Sequence, residues 1–306
     1  NQRLQSVASR VVVSGAELCG ESVAPYYGFT TWSADDYQGD WKKAVEEKYG
    51  LTSQPHVFSV AEGSPSQLAG LLRGDVIKSV NGLALPMGKE ATKRQNEQLR
   101  QAGQAGQPVD LTIERNGETQ SVTMMPVQAC DFAVRLQQDD VKNAYADGKN
   151  IVIYKGMMDF FRSDEELALV LSHELAHNAM KHIDAKKRNA TIGGLIGLLV
   201  DVAAAAGGVN TNGDFTRLAM NAGGGAYSVE FEQEADYVGL YFMAIAGYKI
   251  DEAPNFWRRM ATSNTRAITM KSSHPTTPER FVALESAVQE INDKIAASLP
   301  LKPEMK

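Results

Sequence analysis

The sequence predicts an α+β protein made of two bodies of different texture, and three observations carry that expectation. Between Lys48 and Pro126, short alternating runs break at turn residues and end in a hairpin about Asn116-Gly117. Further along, Leu167, Val170, Leu171, Leu175 and Ala179 recur at helical spacing, and a second helical run extends from Ser228 to Ala246. The chain has 306 residues and is 43% hydrophobic, enough to bury a core without a framework of disulfides. Its 26 Gly and 11 Pro are near average usage, which excludes a collagen-like or broadly disordered protein. A net charge of −6 leaves no basic excess to neutralise phosphates, so nucleic acid is excluded as a partner.

Residues 1–45 are of mixed character, with a strand-like run at Val11–Val13 and aromatics at Tyr26, Tyr27, Phe29 and Trp32. They are expected to form an N-terminal segment packed on the second body. The middle segment, 46–127, reads as a strand (His56–Val60), a turn at Glu62–Pro65 and a short helix (Ser66–Leu71). The run Gly74–Gly82 follows, then a helix (Ala91–Ala102) and the strands Val109–Glu114 and Gln120–Met124. Gly63-Ser-Pro65, Ala69-Gly70-Leu71, Gly74-Asp75 with Ile77, and Val80-Asn81-Gly82 together resemble a PDZ domain of the bacterial protease-associated type. The resemblance implies a β-sandwich-like module with two helices. Its groove would take an extended or C-terminal peptide as an added strand. Tyr49-Gly50-Leu51 is the candidate for the loop that receives a terminal carboxylate; a spacer with a blocked groove is the alternative reading.

Cys19 and Cys130 flank this module. In an exported protein they would pair and staple its ends; in a cytosolic one they would stay free thiols. The most apolar stretch, Ile192–Ala206, is shorter than the ~20 residues a bilayer requires and carries Asp201. It therefore reads as a buried or surface-lying helix.

The third segment, 128–306, opens with a strand at Val152–Tyr154, and Ser163-Asp-Glu-Glu166 reads as a capping box starting a helix over 164–182. A stretch with nine glycines, 193–225, separates it from the second helix and reads either as a mobile lid or as close packing of small residues. Within the first helix stands His173-Glu-Leu-Ala-His177. Residues four apart share a helix face, so the two imidazoles can hold one zinc ion while Glu174 serves the water that the ion acidifies. A third ligand is sought in Glu230-Phe-Glu232-Gln-Glu234-Ala-Asp236. Glu232 and Asp236 are four apart, as suits a ligand and a carboxylate that orients a ligating His, whereas Glu234 points elsewhere. His182 and His56 read as structural, with His182 on the solvent side near the helix end.

Four runs carry a resemblance to a family: Asn143–Gly156, Asp164–His177, Glu232-Gln-Glu-Ala-Asp236 and His274-Pro-Thr-Thr-Pro-Glu-Arg280. Together they resemble the HtpX-like gluzincins, which include CAAX prenyl proteases and BepA-like and Oma-like enzymes. The resemblance implies a largely helical zinc-peptidase core with a small β-sheet, and one zinc per chain held by His173, His177 and Glu232. It further implies Glu174 as general base, Asp236 behind the ligands, and His274 and Arg280 in transition-state stabilisation or, for the histidine, in blocking the metal. The expected substrate is protein, in envelope quality control. The expected location is the periplasm or cell envelope, with peripheral or lipid-anchored attachment through a segment trimmed before Asn1; a mitochondrial or cytoplasmic location is the alternative. The rival to proteolysis is a PDZ-bearing assembly factor whose metal site is vestigial or plugged.

Overall fold

Leu4, Val7, Val11 and Val12 are buried along one stripe of a helix, α1 (Gln2–Ser14). Here the β-branched run Val11–Val13 suggested a strand, but burial at helical spacing outweighs local β preference. The computed structural model describes residues 2–104, 106–206, 211–212, 214, 216–217, 228–263, 274 and 278–304. The chain divides into two compact units, residues 1–131 and 132–306.

The first unit continues as β1 (Val23–Tyr26), β2 (Phe29–Trp32), α2 (Asp40–Tyr49), β3 (His56–Val60), α3 (Pro65–Leu68) and β4 (Val76–Val80). Then come β5 (Leu83–Ala84), α4 (Glu90–Gln104), β6 (Val109–Arg115), β7 (Glu118–Met124) and β8 (Val127–Cys130). Its main sheet has the order β2-β3-β4-β6-β7, with β5 beside β4. Asn116 and Gly117 turn β6 into β7 with φ of 53° and 80°, both positive as a type I′ hairpin demands. Tyr27, Val57, Leu71, Ile77, Leu99, Leu111 and Ile113 share one core. This corrects the expected boundary at residue 46: β2 pairs with β3, so residues before 46 belong to the module's sheet and to its unit.

Tyr49-Gly50-Leu51 forms a helix end. Gly50 stops α2 with φ of 64°, its N–H donating to Glu46 O, and Leu51 is buried with Ala34 and Val45. Tyr27-Gly28 instead leads into β2, an edge strand of the sheet. Gly28 has φ of 83°, and a Cβ there would stand 2.1 Å from that of Ser64. β1 pairs antiparallel with β8, so both ends of the module lie side by side, and Cys19 is disulfide-bonded to Cys130 close by.

The second unit has a three-stranded sheet of β9 (Ala133–Gln137), β10 (Ala144–Ala146) and β11 (Asn150–Tyr154). Central β11 runs parallel to β9 and antiparallel to β10. Its helices are α5 (Lys155–Phe160), α6 (Asp164–Ala179), α7 (His182–Ala206), α8 (Val229–Ile245), α9 (Ala253–Ser263) and α10 (Pro278–Ala296). Ser163 caps α6 by accepting the Glu166 N–H. The return bond of the expected box goes one residue further out, from the Arg162 N–H to Glu166, whose carboxylate also holds Arg259.

The apolar repeat in α6 marks only one face, yet every residue from Leu167 to Asn178 is buried. The helix is enclosed because β10 and β11 cover it on one side and α8 crosses it on another. That crossing is close: a Cβ on Gly239 of α8 would lie 3.1 Å from His173 N and 3.2 Å from its Cα. On α7, Ile192, Leu195 and Leu199 are exposed, so this stretch is surface-lying, and no described helix is long and apolar enough to cross a membrane. Most of the glycine-rich stretch falls outside the described residues.

The Cys19–Cys130 bond closes a loop of sequence separation 111. In the loop-entropy account, such a closure stabilises mainly by constraining the unfolded chain, by about 2–5 kcal/mol. Urea denaturation of the double variant Cys19→Ser, Cys130→Ser is expected to show the first unit weakened by that amount, and an unchanged midpoint would contradict it.

Candidate metal centre

α6 presents His173 and His177 one turn apart, and α8 presents Glu232 and Asp236 with the same spacing. The close passage at Gly239 brings these faces together inside the unit, where the four side chains are at most 4% exposed. His173 Nε2 and His177 Nε2 stand 3.2 Å apart and aim at a common point. Glu232 reaches that point too, with Oε1 3.3 Å from His177 Nε2 and Oε2 3.5 Å from His173 Nε2. His274 comes from a distant part of the chain, its Nδ1 2.9 Å from Glu232 Oε1 and 3.3 Å from His173 Nε2.

These four residues offer donor atoms that all lie within 4.8 Å of one another. A tetrahedral ion with bonds of about 2.0–2.1 Å separates its donors by about 3.3 Å, so the spacing and the mix of imidazole and carboxylate both suit zinc. Glu174 lies beside the cluster, 2% exposed, with Oε1 3.4 Å from His274 Nε2. Its Oε2 is buried with no hydrogen-bond partner among the described residues. A buried carboxylate oxygen without a donor is costly unless something outside the chain supplies one.

Burial opposes a charged His173, but hydrogen bonds with Asp236 and Glu232 outweigh it and push its pKa up to about 10. Burial, reinforced by the neighbouring His173 charge, drives His177 well below the imidazole range. For Glu232 burial works upward, yet hydrogen bonds from His173, His177 and His274 hold it far below the carboxylate range. The pocket is therefore built to hold positive charge against Glu232.

Behind these groups, Asp236 Oδ1 sits 3.0 Å from His173 Nδ1. Asp236 also takes a two-pronged grip from Arg280 on α10, at 2.8 Å from Nε and 2.9 Å from Nη2. Arg280 Nη1 stands 2.8 Å from Glu232 Oε2, and the Trp257 ring lies under the guanidinium at 5.5 Å. All seven residues singled out in the sequence (His173, Glu174, His177, Glu232, Asp236, His274 and Arg280) thus converge here. Of the His274–Arg280 motif, residues 275–277 lie outside the described set.

Sequence reasoning missed two neighbours. His182 is not on the solvent side: it is 2% exposed, with Nδ1 3.0 Å from His177 Nδ1. Glu234 does not point elsewhere either, since its Oε2 lies 2.8 Å from His182 Nε2. In a straight helix a residue five further along is turned about 140° away. The helix is broken, however, at Lys181, with φ of 58°, and α7 folds back so that its first residue returns to α6. No glycine or proline marks that turn.

Arg280, 2% exposed, compensates two buried carboxylates. Replacing it with Met removes that compensation, and urea unfolding of the metal-free protein should show a loss of about 3–5 kcal/mol. A loss below ~1 kcal/mol would mean that the ion pairs do not hold this site together.

Comparison with known proteins agrees with this geometry. Residues 114–288, more than half of the chain, match peptidase family M48, and residues 37–125 match the PDZ domain. The mitochondrial metalloendopeptidase OMA1 of Schizosaccharomyces pombe is 28% identical over 162 residues, covering 51% of this chain and 47% of that protein. The putative beta-barrel assembly-enhancing protease of Vibrio cholerae is 31% identical over 138 residues, covering 42% of this chain and 28% of that protein. The beta-barrel assembly-enhancing protease of Yersinia pestis is 26% identical over 179 residues, covering 55% and 36%. The chain thus spans less than half the length of each of these relatives. With a family match over more than half its length and a buried metal-ligating cluster within that match, the chain belongs to peptidase family M48, the metallopeptidases, and carries a PDZ domain.

Proposed function

We propose that this chain is a zinc-dependent endopeptidase that cleaves protein substrates in the bacterial envelope, with its PDZ domain capturing or regulating them. The observation that carries the reading is the buried group His173, His177, Glu232 and His274 with the Glu174 carboxylate beside it. His173, His177 and Glu232 are the residues that would hold one zinc ion. When bound, zinc supplies a Lewis acid that acidifies water and polarises the scissile carbonyl.

Glu174 Oε2 then has its missing partner. It takes the proton of the attacking water and returns it to the leaving amine, so one carboxylate acts as base and afterwards as acid. The enclosed position of Glu174 keeps competing solvent away from that proton. Asp236 holds the rear of His173, while Arg280 neutralises Asp236 and Glu232. Arg280 acts in this reading as a positioning residue, each of its nitrogens engaged with one of these two carboxylates.

With zinc held by His173, His177 and Glu232, His274 would stand where water is needed. A catalytic zinc keeps one position open, whereas four protein donors describe a closed site. His274 is the donor from outside the two metal-bearing helices, and at 13% side-chain exposure the least buried of the four. In this reading it blocks the resting site and must withdraw before substrate enters. A second reading rests on the same contact: the site stays permanently plugged and the chain works as a PDZ-bearing assembly factor.

For the PDZ domain, β2 offers an edge for an added peptide strand, and the residues leading into it are tied to α4 by the bond from Tyr27 OH to Leu99 O. The buried Cys19–Cys130 bond supports an oxidising compartment such as the periplasm.

Glu174→Gln is expected to lower casein cleavage by about 10²–10⁴-fold while zinc content stays at one per chain. Undiminished cleavage would contradict the mechanism. His274→Ala is expected to accelerate casein cleavage in a chelator-sensitive way. Lost activity would place His274 on the substrate instead, and absence of activity in both forms would favour the assembly-factor reading.

A further inference from the structure

We infer that His182 and Glu234 form a positioning relay that orients His177 toward the metal. The inference rests on the reading of His177 as a zinc ligand. It is carried by contacts on the side of that ring facing away from the cluster. His177 Nε2 faces Glu232 and His173, while its Nδ1 faces His182 Nδ1 at 3.0 Å. His182 in turn has Nε2 2.8 Å from Glu234 Oε2.

Where His177 Nε2 keeps its lone pair for a metal, one proton arrangement satisfies the contacts behind it. A carboxylate only accepts, so His182 Nε2 carries the hydrogen and donates to Glu234. Neutral His182 then has a bare Nδ1, which accepts the Nδ1–H of His177. That leaves the lone pair of His177 on Nε2, the atom aimed at the donor cluster. His177 is thereby held both in its ligating tautomer and in its ring orientation.

The fold takes deliberate steps to place His182 here. Lys181, a non-glycine residue, adopts φ of 58°, a conformation that L side chains rarely take up. With that turn made, the His182 ring stacks on Phe231 of α8, centroids 4.5 Å apart and planes within 12°. Phe231 precedes Glu232 directly, so one segment of α8 supplies the stacking surface, the cluster carboxylate and Glu234. The two α6 imidazoles are thus backed in parallel fashion: His173 has Asp236 behind it at 3.0 Å, and His177 has Glu234 behind it through one intervening ring.

The test measures zinc affinity of the full chain by competition with a chromophoric chelator, together with the absorption spectrum of the cobalt-substituted protein. Two variants separate hydrogen bonding from packing. His182→Phe keeps a ring on Phe231 but has no acceptor for His177, and is expected to weaken zinc binding by about 10–100-fold and shift the cobalt spectrum. His182→Asn loses the ring but puts an amide oxygen near the position of Nδ1, and is expected to stay within about threefold of wild type on the same scale. The reverse order, with His182→Phe binding as wild type and His182→Asn weakened, would overturn the relay and leave a packing role. If His182→Phe does not fold, Glu234→Ala decides, because that side chain is 35% exposed and its removal spares the core. A loss of threefold or more supports the relay, and unchanged affinity overturns it. Failure of the ligand assignment itself would look different, as a wild-type chain that takes up no zinc or a His177→Ala variant that binds it as tightly.

Discussion

The site depends on how closely two helices pass. Gly239 lets α8 lie against the backbone of α6 at His173, where any side chain would crowd atoms about 3 Å away. That contact sets the distance between the two histidines of one helix and the two carboxylates of the other. Because the crossing is buried, a carboxylate that arrives there must meet positive charge, and the chain supplies it in layers. Imidazoles face the front of Glu232, and the Arg280 guanidinium sits behind both Glu232 and Asp236. The same low-dielectric enclosure that makes the metal-free cluster costly makes a bound cation favourable.

Glu232 is held from the front by three imidazoles, His274 among them. In the proposed enzyme His173, His177 and Glu232 would hold the zinc, and His274 would be a fourth donor that keeps water from it. Opening then needs only the most exposed of the four donors to leave, without disturbing the helix crossing. In the proposed reading, a protease held shut in this way would suit a compartment where unregulated cleavage is harmful, and the PDZ domain would be the place where a peptide signal is read.

Much of this was legible in the sequence, for identifiable reasons. His173 and His177 could be placed on one face because they belong to a single helix with period 3.6, and Glu232 and Asp236 for the same reason. The Asn116-Gly117 hairpin was readable because both positions need positive φ. What failed were features set by tertiary contact. Val11–Val13 has strand-like composition but is buried as a helix. Tyr49-Gly50 has the look of a ligand loop, but Gly50 does the equally common work of ending a helix. β2 joined the PDZ sheet from outside the expected boundary, since strand pairing is non-local. His182 and Glu234 were missed because Lys181 breaks the helix without a glycine or proline to announce it.

The central claim is that the buried cluster is a mononuclear zinc site built from imidazole and carboxylate donors. X-ray absorption at the zinc edge of the purified full chain tests it most directly. The account predicts one zinc per chain with nitrogen and oxygen scatterers at about 2.0–2.1 Å, the outer-shell signature of imidazole, and no sulfur. Protein that takes up no zinc, or zinc with a thiolate shell near ~2.3 Å, would contradict it.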